Sequence, residues 1–222
     1  MTRADAKEAI ALLNPMLALL VSFVPSSGIV GIGARTIIND TRVNAFKLCV
    51  DDALGPPLDS CFDQARQAGV GVTQLEQVRE QVEQEAPVSL GARLVQNACI
   101  RLSLVTQAYI IANMTFISRE QVSQIRATLQ QPFFNAEEIA ADEMDQMTFQ
   151  SLIALHGAIT NHLVQTALPL PRMLNYQFYA PLPSLVMAYK LYDDASRADE
   201  LRDENKIVHP AFCPLSGEAL SS

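Results

Sequence analysis

Apolar residues recur at helical spacing over most of the chain. Near its start, Ile10, Leu13, Leu17 and Leu20 share one face behind an acidic first turn at Asp5, which predicts a helix over residues 1–24. Pro15 inside it has no amide donor and is expected to kink the helix or begin a second segment. The stretch from Pro25 to Gly33 carries glycines at 28, 31 and 33 in the order GxxGxG. A phosphate-binding turn would follow a strand and open a helix N-terminus; no strand is predicted before it, so the stretch reads as a flexible hinge. Short helices follow over Thr36–Val50 and Asp59–Ala68, separated by the breaker Gly55, Pro56 and Pro57. Thr73 and Glu76 form a capping-box pattern ahead of a polar helix, Gln74 to Glu85, which is expected to bridge two packed regions.

The centre has the longest pattern. Leu90, Leu94, Ala98, Leu102, Val105, Tyr109, Ala112 and Phe116 form a stripe at helical spacing, with a second row through Val95, Ile110 and Ile117. Residues 88–117 therefore predict one helix of roughly 45 Å at 1.5 Å per residue, surrounded by other helices or subunits. Ser118 and Gln121 predict a new cap and a helix running to Gln131, stopped by Pro132. Asn135 and Glu138 predict a third helix to about Leu168, with Met144, Leu152, Leu155, Ile159 and Leu163 as its core stripe. The acids Glu137, Glu138, Asp142, Glu143 and Asp145 crowd its first turns, where the helix dipole favours them, and read as solvation.

After Leu168-Pro169-Leu170-Pro171 the pattern changes. Residues from Arg172 to Tyr179 alternate as a short strand, Pro183 opens a helix through Tyr192, Asp194–Glu204 forms another, and Glu218–Leu220 returns as a strand. The fold class expected is mainly α: a helical bundle with long central helices plus a small C-terminal βααβ module. The expected divisions are 1–86, an N-terminal helical segment with a Gly-rich loop; 87–171, a long-helix bundle; and 172–222, the C-terminal module.

Composition narrows the function. Apolar residues make up 49% of the chain and charged ones only 18%, against about 25% charged in an ordinary soluble domain. The deficit points to apolar surface covered by partners. The most apolar run, Ile10 to Val24, contains Asn14 and Pro15 and is short of the about 20 residues a spanning helix needs, so no stable membrane span is expected. The net charge of −8 argues against DNA as a direct ligand. The one basic window holds Arg93, Arg101, Arg119 and Arg126 with no interleaved aromatic platform, and reads as a solvated helix face.

Cys49, Cys61, Cys99 and Cys213 are widely spaced without a CxxC pair, which excludes a local zinc site and suggests small buried hydrophobes in a reducing compartment. His156 and His162 are six apart and point about 120° away from each other on a helix. With His209 beside Pro210 in a terminal loop, no nucleophilic triad can be assembled. A non-enzymatic protein with no catalytic, metal or cofactor site is expected.

The run from Leu182 to Pro214 carries the most specific signal. Pro183, Leu185, Ala188, Tyr189, Tyr192, Arg197, Glu200, Leu201, Asn205, Ile207, His209, Pro210 and Phe212 follow the pattern P-x-L-V-x-A-Y-x-L-Y-x-D-A-x-R-A-x-E-L…N-x-I-x-H-P-x-F-x-P. This resembles the C-terminal end of the DNA circularisation proteins of Mu-like bacteriophages, and residues from Phe116 to Leu163 resemble the middle of that family more loosely. The resemblance covers about residues 90–222. Residues 1–86 carry no match to the domain with which the family begins, and Asp193 stands where its pattern has Gly. The end is also similar to LysM-like modules, some of which bind glycans.

The resemblance implies a virion protein of the phage tail or baseplate, assembled in the host cytoplasm. It would act as a homo-oligomer with tail symmetry against other tail and baseplate subunits, near the junction of tube and hub. DNA-end binding and glycan binding are the alternatives it implies. Pro183, Tyr189, Tyr192, Arg197, Leu201, Asn205, His209, Pro210 and Phe212 are then fold and assembly residues. In that role Tyr189 and Tyr192 would pack one helix against Leu201 on the next, and Asn205 would tie the turn before His209.

Overall fold

The computed structural model describes residues 1–221. Among them are nine α-helices and one small antiparallel sheet, with 71% of the residues helical, so the mainly α fold is observed. The helices are α1 (Arg3–Phe23), α2 (Ile29–Val50), α3 (Gly55–Gln67), α4 (Val72–Glu83), α5 (Leu90–Ala112), α6 (Arg119–Asp142), α7 (Gln146–Ala167), α8 (Ser184–Tyr192) and α9 (Ala198–Glu204). The strands β1 (Met173–Gln177) and β2 (Ser216–Leu220) enclose α8 and α9 in sequence. Residues 1–114 and 131–159 form one compact unit, and residues 115–130 with those from Thr160 onward form a second. This division cuts across the segments 1–86, 87–171 and 172–222 expected from the sequence, because α5 packs against α1, α3 and α4 rather than founding a bundle of its own.

In the first unit, Thr2 caps α1 by accepting the Asp5 amide at 3.2 Å, and the helix runs unbroken through Pro15. The expected hinge shrinks to the turn before Ile29, and Gly31 and Gly33 lie inside α2. A Cβ on Gly31 would stand 2.5 Å from the Pro25 carbonyl oxygen. Glycine there lets the first turn of α2 lie against the preceding loop. Arg35 of α2 then donates to the Val21 and Val24 carbonyls at 3.1 and 2.7 Å, closing the open end of α1.

Gly55, Pro56 and Pro57 open α3 instead of breaking the chain, since proline in a first turn has no helical amide to forfeit. The cap of α4 is Gly71, whose amide donates to Gln74 Oε1 at 2.5 Å; Thr73 is already inside the helix. α4 is not a solvated bridge: Leu75, Val78 and Val82 are buried against its neighbours.

The central helix departs furthest from expectation. α5 ends at Ala112, and the residues it buries are Ala92, Val95, Asn97, Cys99, Ile100, Ser103, Leu104, Thr106, Gln107, Ala108 and Ile111. The expected stripe is largely its outer side, where Leu90, Leu94 and Tyr109 are exposed. Large apolar residues lie on more than one side of α5, so the helices it meets choose which side is buried, and here that side includes the small residues Ala92, Cys99, Ser103 and Ala108, which allow close approach.

Ser118 caps α6, accepting the Gln121 amide at 3.3 Å, but Pro132 does not stop the helix and Asn135 lies within it, bonded to Gln131. Asp145 supplies the next cap instead, accepting from Thr148 at 3.2 Å, and α7 starts at Gln146. Of the expected α7 stripe, Leu152, Ile159 and Leu163 are buried whereas Met144 is exposed.

α1 and α5 each contain an 18-residue window apolar enough to cross a membrane, with mean hydropathy 1.5 and 1.2. By length and composition alone, the expectation that no stretch reaches that size therefore fails. Those windows are 44% and 56% buried inside the fold, as core helices are.

The reassigned face of α5 is testable by denaturant unfolding. Leu104→Ala should cost about 2–5 kcal/mol, as for a fully buried leucine. Leu94→Ala, from the expected stripe, should cost under about 1 kcal/mol, as for an exposed side chain.

Candidate functional site

The residues singled out by the terminal pattern lie in the second unit. β1 and β2 pair antiparallel, with Met173 opposite Leu220 and Tyr176 opposite Gly217. Tyr176, Met187, Leu201, Cys213 and Ala219 form the core, with Phe178, Leu182, Leu191, Tyr192 and Ile207 packed around them. Leu201 is fully buried, as expected. Tyr189 is not: it is 59% exposed. α8 buries Ser184, Met187 and Ala188, and on a helix the positions of Leu185 and Tyr189 turn away from that face. Met187 takes the role expected of Tyr189.

Asn205 carries the densest set of bonds in the module. Its Nδ2 donates to the Leu201 carbonyl at 2.9 Å and to the Glu218 carbonyl at 2.7 Å, while its Oδ1 accepts the Glu218 amide at 2.8 Å. One side chain thus ends α9 and holds both backbone groups of a β2 residue. The tie runs to the strand, and not to the turn before His209 as expected. Gly217 makes the tie possible: a Cβ there would overlap Asn205 Oδ1 and stand 2.7 Å from the Tyr176 hydroxyl. The sequence pattern did not single out Gly217; only the approach of three segments reveals it.

Tyr192 is half-buried, with the Arg197 guanidinium 3.8 Å above its ring. Arg197 also makes a two-pronged bond to Glu200, at 3.1 and 2.5 Å, which holds its pKa above the ordinary guanidinium value. Burial, and then the Glu200 carboxylate, push the Tyr192 phenol up. Pro183 caps α8, and Pro210 accepts the Ser184 amide at 2.7 Å. His209 and Phe212 are exposed, with ring centroids 5.3 Å apart, and His209 Nδ1 accepts the Ala211 amide at 3.3 Å. Asp193 has φ 57°, a left-handed conformation that glycine adopts freely and aspartate tolerates.

The same unit holds an open polar cleft of about 430 Å³, lined by Ser118, Gln121, Gln124, Asn175 and the carboxylates Glu120, Glu204 and Glu218. Glu120 accepts the Met173 amide at 2.7 Å. The Glu204 carboxyl is raised, first by burial and then by Glu200, Glu218 and Asp203.

In the first unit, Cys49, Cys61 and Cys99 come from three different helices and are all buried. Burial pushes each thiol up, and Cys99 is raised further by the other two. His156 stacks on Phe133 at 4.9 Å and meets Glu137 at 2.8 Å, so that carboxylate is not merely solvated. Arg101 of the basic window pairs with Glu143 at 2.8 Å. In the second unit Arg119 bonds the Leu168 and Leu170 carbonyls. Among the described residues, no group of three His, Cys, Asp or Glu side chains is placed to hold a metal ion. No protein-family model matches the chain, and no curated protein matches it at a significant level.

Removing the Asn205 amide should be felt at once. Asn205→Ala should cost about 1–3 kcal/mol in chemical unfolding, because the Glu218 backbone groups lose their partners. Gly217→Ala should be destabilising through overlap with Asn205, whereas Tyr189→Ala should stay within about 0.5 kcal/mol of wild type.

The raised thiols predict a one-sided alkaline response. Their contribution is present in full below the ordinary thiol value of 9.0 and is lost as pH rises through the folded values, because the unfolded chain ionises first. A thiol reagent should label none of the four cysteines of the native chain rapidly and all of them in denaturant.

Proposed function

We propose that this protein is a structural subunit of a contractile-type phage tail or baseplate, near the junction of tube and hub, and acts through oligomeric assembly. The observation that carries the reading is the terminal run from Pro183 to Phe212, which follows the pattern of the Mu-like DNA circularisation proteins. Its residues serve packing and clamping: Leu201 fills a core, Asn205 ties helix to strand, and Arg197 covers Tyr192. A module whose patterned residues specify shape suits a component that must fit beside others.

Glycan binding is the second reading, favoured by the polar cleft, whose amides and carboxylates are suitable partners for hydroxyl-rich ligands. Its described lining holds no aromatic ring to stack on a sugar face, so assembly is preferred. DNA-end binding has least support: acids outnumber bases by eight, and Arg101 and Arg119 are engaged within the protein.

Quantitative mass spectrometry of purified particles, with immunogold labelling of tails, tests the assembly reading. The chain should be present at a fixed small-integer copy number and should label one position along the tail; absence from washed particles would overturn the reading. In a gel-shift assay at physiological salt, linear duplex DNA with free ends should not be retained. A salt-sensitive shift at sub-micromolar protein would restore the DNA-end role.

A further inference from the structure

The two edges of the small sheet are not alike. Phe178 donates to the Leu215 carbonyl at 2.6 Å and Ser221 to the Arg172 carbonyl at 2.7 Å. With Leu174 opposite Ala219 and Tyr176 opposite Gly217, the ladder bonds of β1 fall on its even-numbered residues. The amides and carbonyls of Met173, Asn175 and Gln177 therefore point away from β2, just as those of Glu218 point away from β1. On the β2 side Asn205 takes both backbone groups of Glu218, at 2.7 and 2.8 Å, and closes that edge as a further strand would. On the β1 side Glu120 accepts the Met173 amide at 2.7 Å. Beyond it, among the described residues, nothing pairs with the outward groups of Asn175 and Gln177, and both residues are exposed. Open edges are usually blunted by lysine, proline or a bulge, and Met173–Gln177 has none of these.

The polar cleft of about 430 Å³ adjoins this edge. Met173 and Asn175 line it with Glu120 at the start of α6, Glu204 at the end of α9 and Glu218 of β2. Met173, Asn175 and Glu218 share one face of the sheet, because Asn175 stands opposite Glu218 and alternate residues lie on the same side. The described lining contains three carboxylates and no lysine, arginine or histidine.

We propose that the β1 edge and this cleft take up an extended segment of another protein, bearing lysine or arginine, as an added strand. The edge selects the backbone. Asn175 and Gln177 are two positions apart and present donor and acceptor in one direction, which an extended chain meets at alternate residues. The carboxylates select the side chains. A strand laid against β1 puts the side chain opposite Asn175 on the same face as Glu218, about 10 Å away at two strand spacings, which the long stems of lysine and arginine span. Burial and the Glu200, Glu218 and Asp203 carboxylates already raise Glu204; an incoming cation relieves that crowding and an acidic strand adds to it. A second copy of β1 does not fit, since Met173–Gln177 carries no cation. A nucleic acid is repelled by the same carboxylates, and a free cation leaves the backbone groups unpaired.

The inference goes beyond the assembly reading, because it concerns what one cleft binds whether or not the chain belongs to a tail. The probe is a capped peptide of about seven residues, an ordinary strand length, alternating threonine and lysine. It is titrated into the full isotope-labelled chain and followed by amide NMR shifts. It should bind at low salt with a Kd below about 1 mM, shift the Asn175 and Gln177 amides, and weaken as salt is added. Methylating the lysine backbone nitrogens of the peptide, replacing its lysines by glutamate, or changing the protein by Glu204→Gln with Glu218→Gln should each weaken binding at least about tenfold. Asn175→Pro should do the same while sparing the ladder, because that amide faces outward; should this variant fail to fold, the methylated peptide tests the edge in the unaltered protein. No binding up to about 1 mM, unshifted Asn175 and Gln177 amides, or indifference to backbone methylation overturns the proposal. Spermidine binding as tightly as the peptide would show a cation site alone and overturn it too, as would a chitin oligosaccharide that fills the cleft when the peptide does not.

Discussion

The first unit is tied together by polar side chains of α5 that reach the backbone and side chains of its neighbours. A buried amide without a partner costs about 1–3 kcal/mol, and α5 carries several on or beside its packed face. Gln96 donates to the Val82 and Glu85 carbonyls at 2.8 and 2.7 Å, and Gln107 donates to the Val72 carbonyl at 3.2 Å, so one helix pins both ends of α4. Asn97 donates to Glu143 at 2.7 Å, which fixes the α6–α7 turn against the same helix. Glu8 of α1 accepts the Val88 and Ser89 amides just before α5, at 2.6 and 3.0 Å; the Ser89 hydroxyl first, and then these two amides, hold its carboxyl below the usual range. Apolar contact supplies the attraction, but these amides and carboxylates set which turn of each helix faces which.

The second unit meets a similar constraint with one residue. Asn205 takes both backbone groups of Glu218, and Gly217 leaves the space it needs. Because the core beneath is already filled by Tyr176, Met187 and Leu201, the large apolar side chains of α8 and the terminal loop are free to face outward. Leu201 and Asn205 therefore carry the packing of the module, whereas the exposed Tyr179 and Phe212 take no part in filling its core.

The helical periodicity, the short alternating strand after Pro171 and the turn residues of the terminal run are local signals. They sufficed for the mainly α class and for the order strand, helix, helix, strand at the end of the chain, which β1, α8, α9 and β2 follow. Ser118 as a cap and Leu201 as a core residue were legible for the same reason, since the first needs only its own turn and the second an apolar position in an otherwise polar helix. Proline misled in both directions. Pro15 and Pro132 sit inside unbroken helices, while Pro56 and Pro57 begin one; tertiary packing can carry a lost amide bond, and a first turn has none to lose.

What the sequence by itself determined is therefore the helical class, the acidic charge, and the residues able to specify a small closed module. Which side of α5 is buried, why residues 31 and 217 must be glycine, and that Tyr189 faces outward were decided only by the tertiary structure. A helix with large apolar residues on more than one side does not say which side will meet a neighbour, and a glycine's necessity lies in an atom from elsewhere, the Pro25 carbonyl in one case and the Asn205 amide in the other. Those choices depend on the distances between segments, and such distances exist only once the chain has folded.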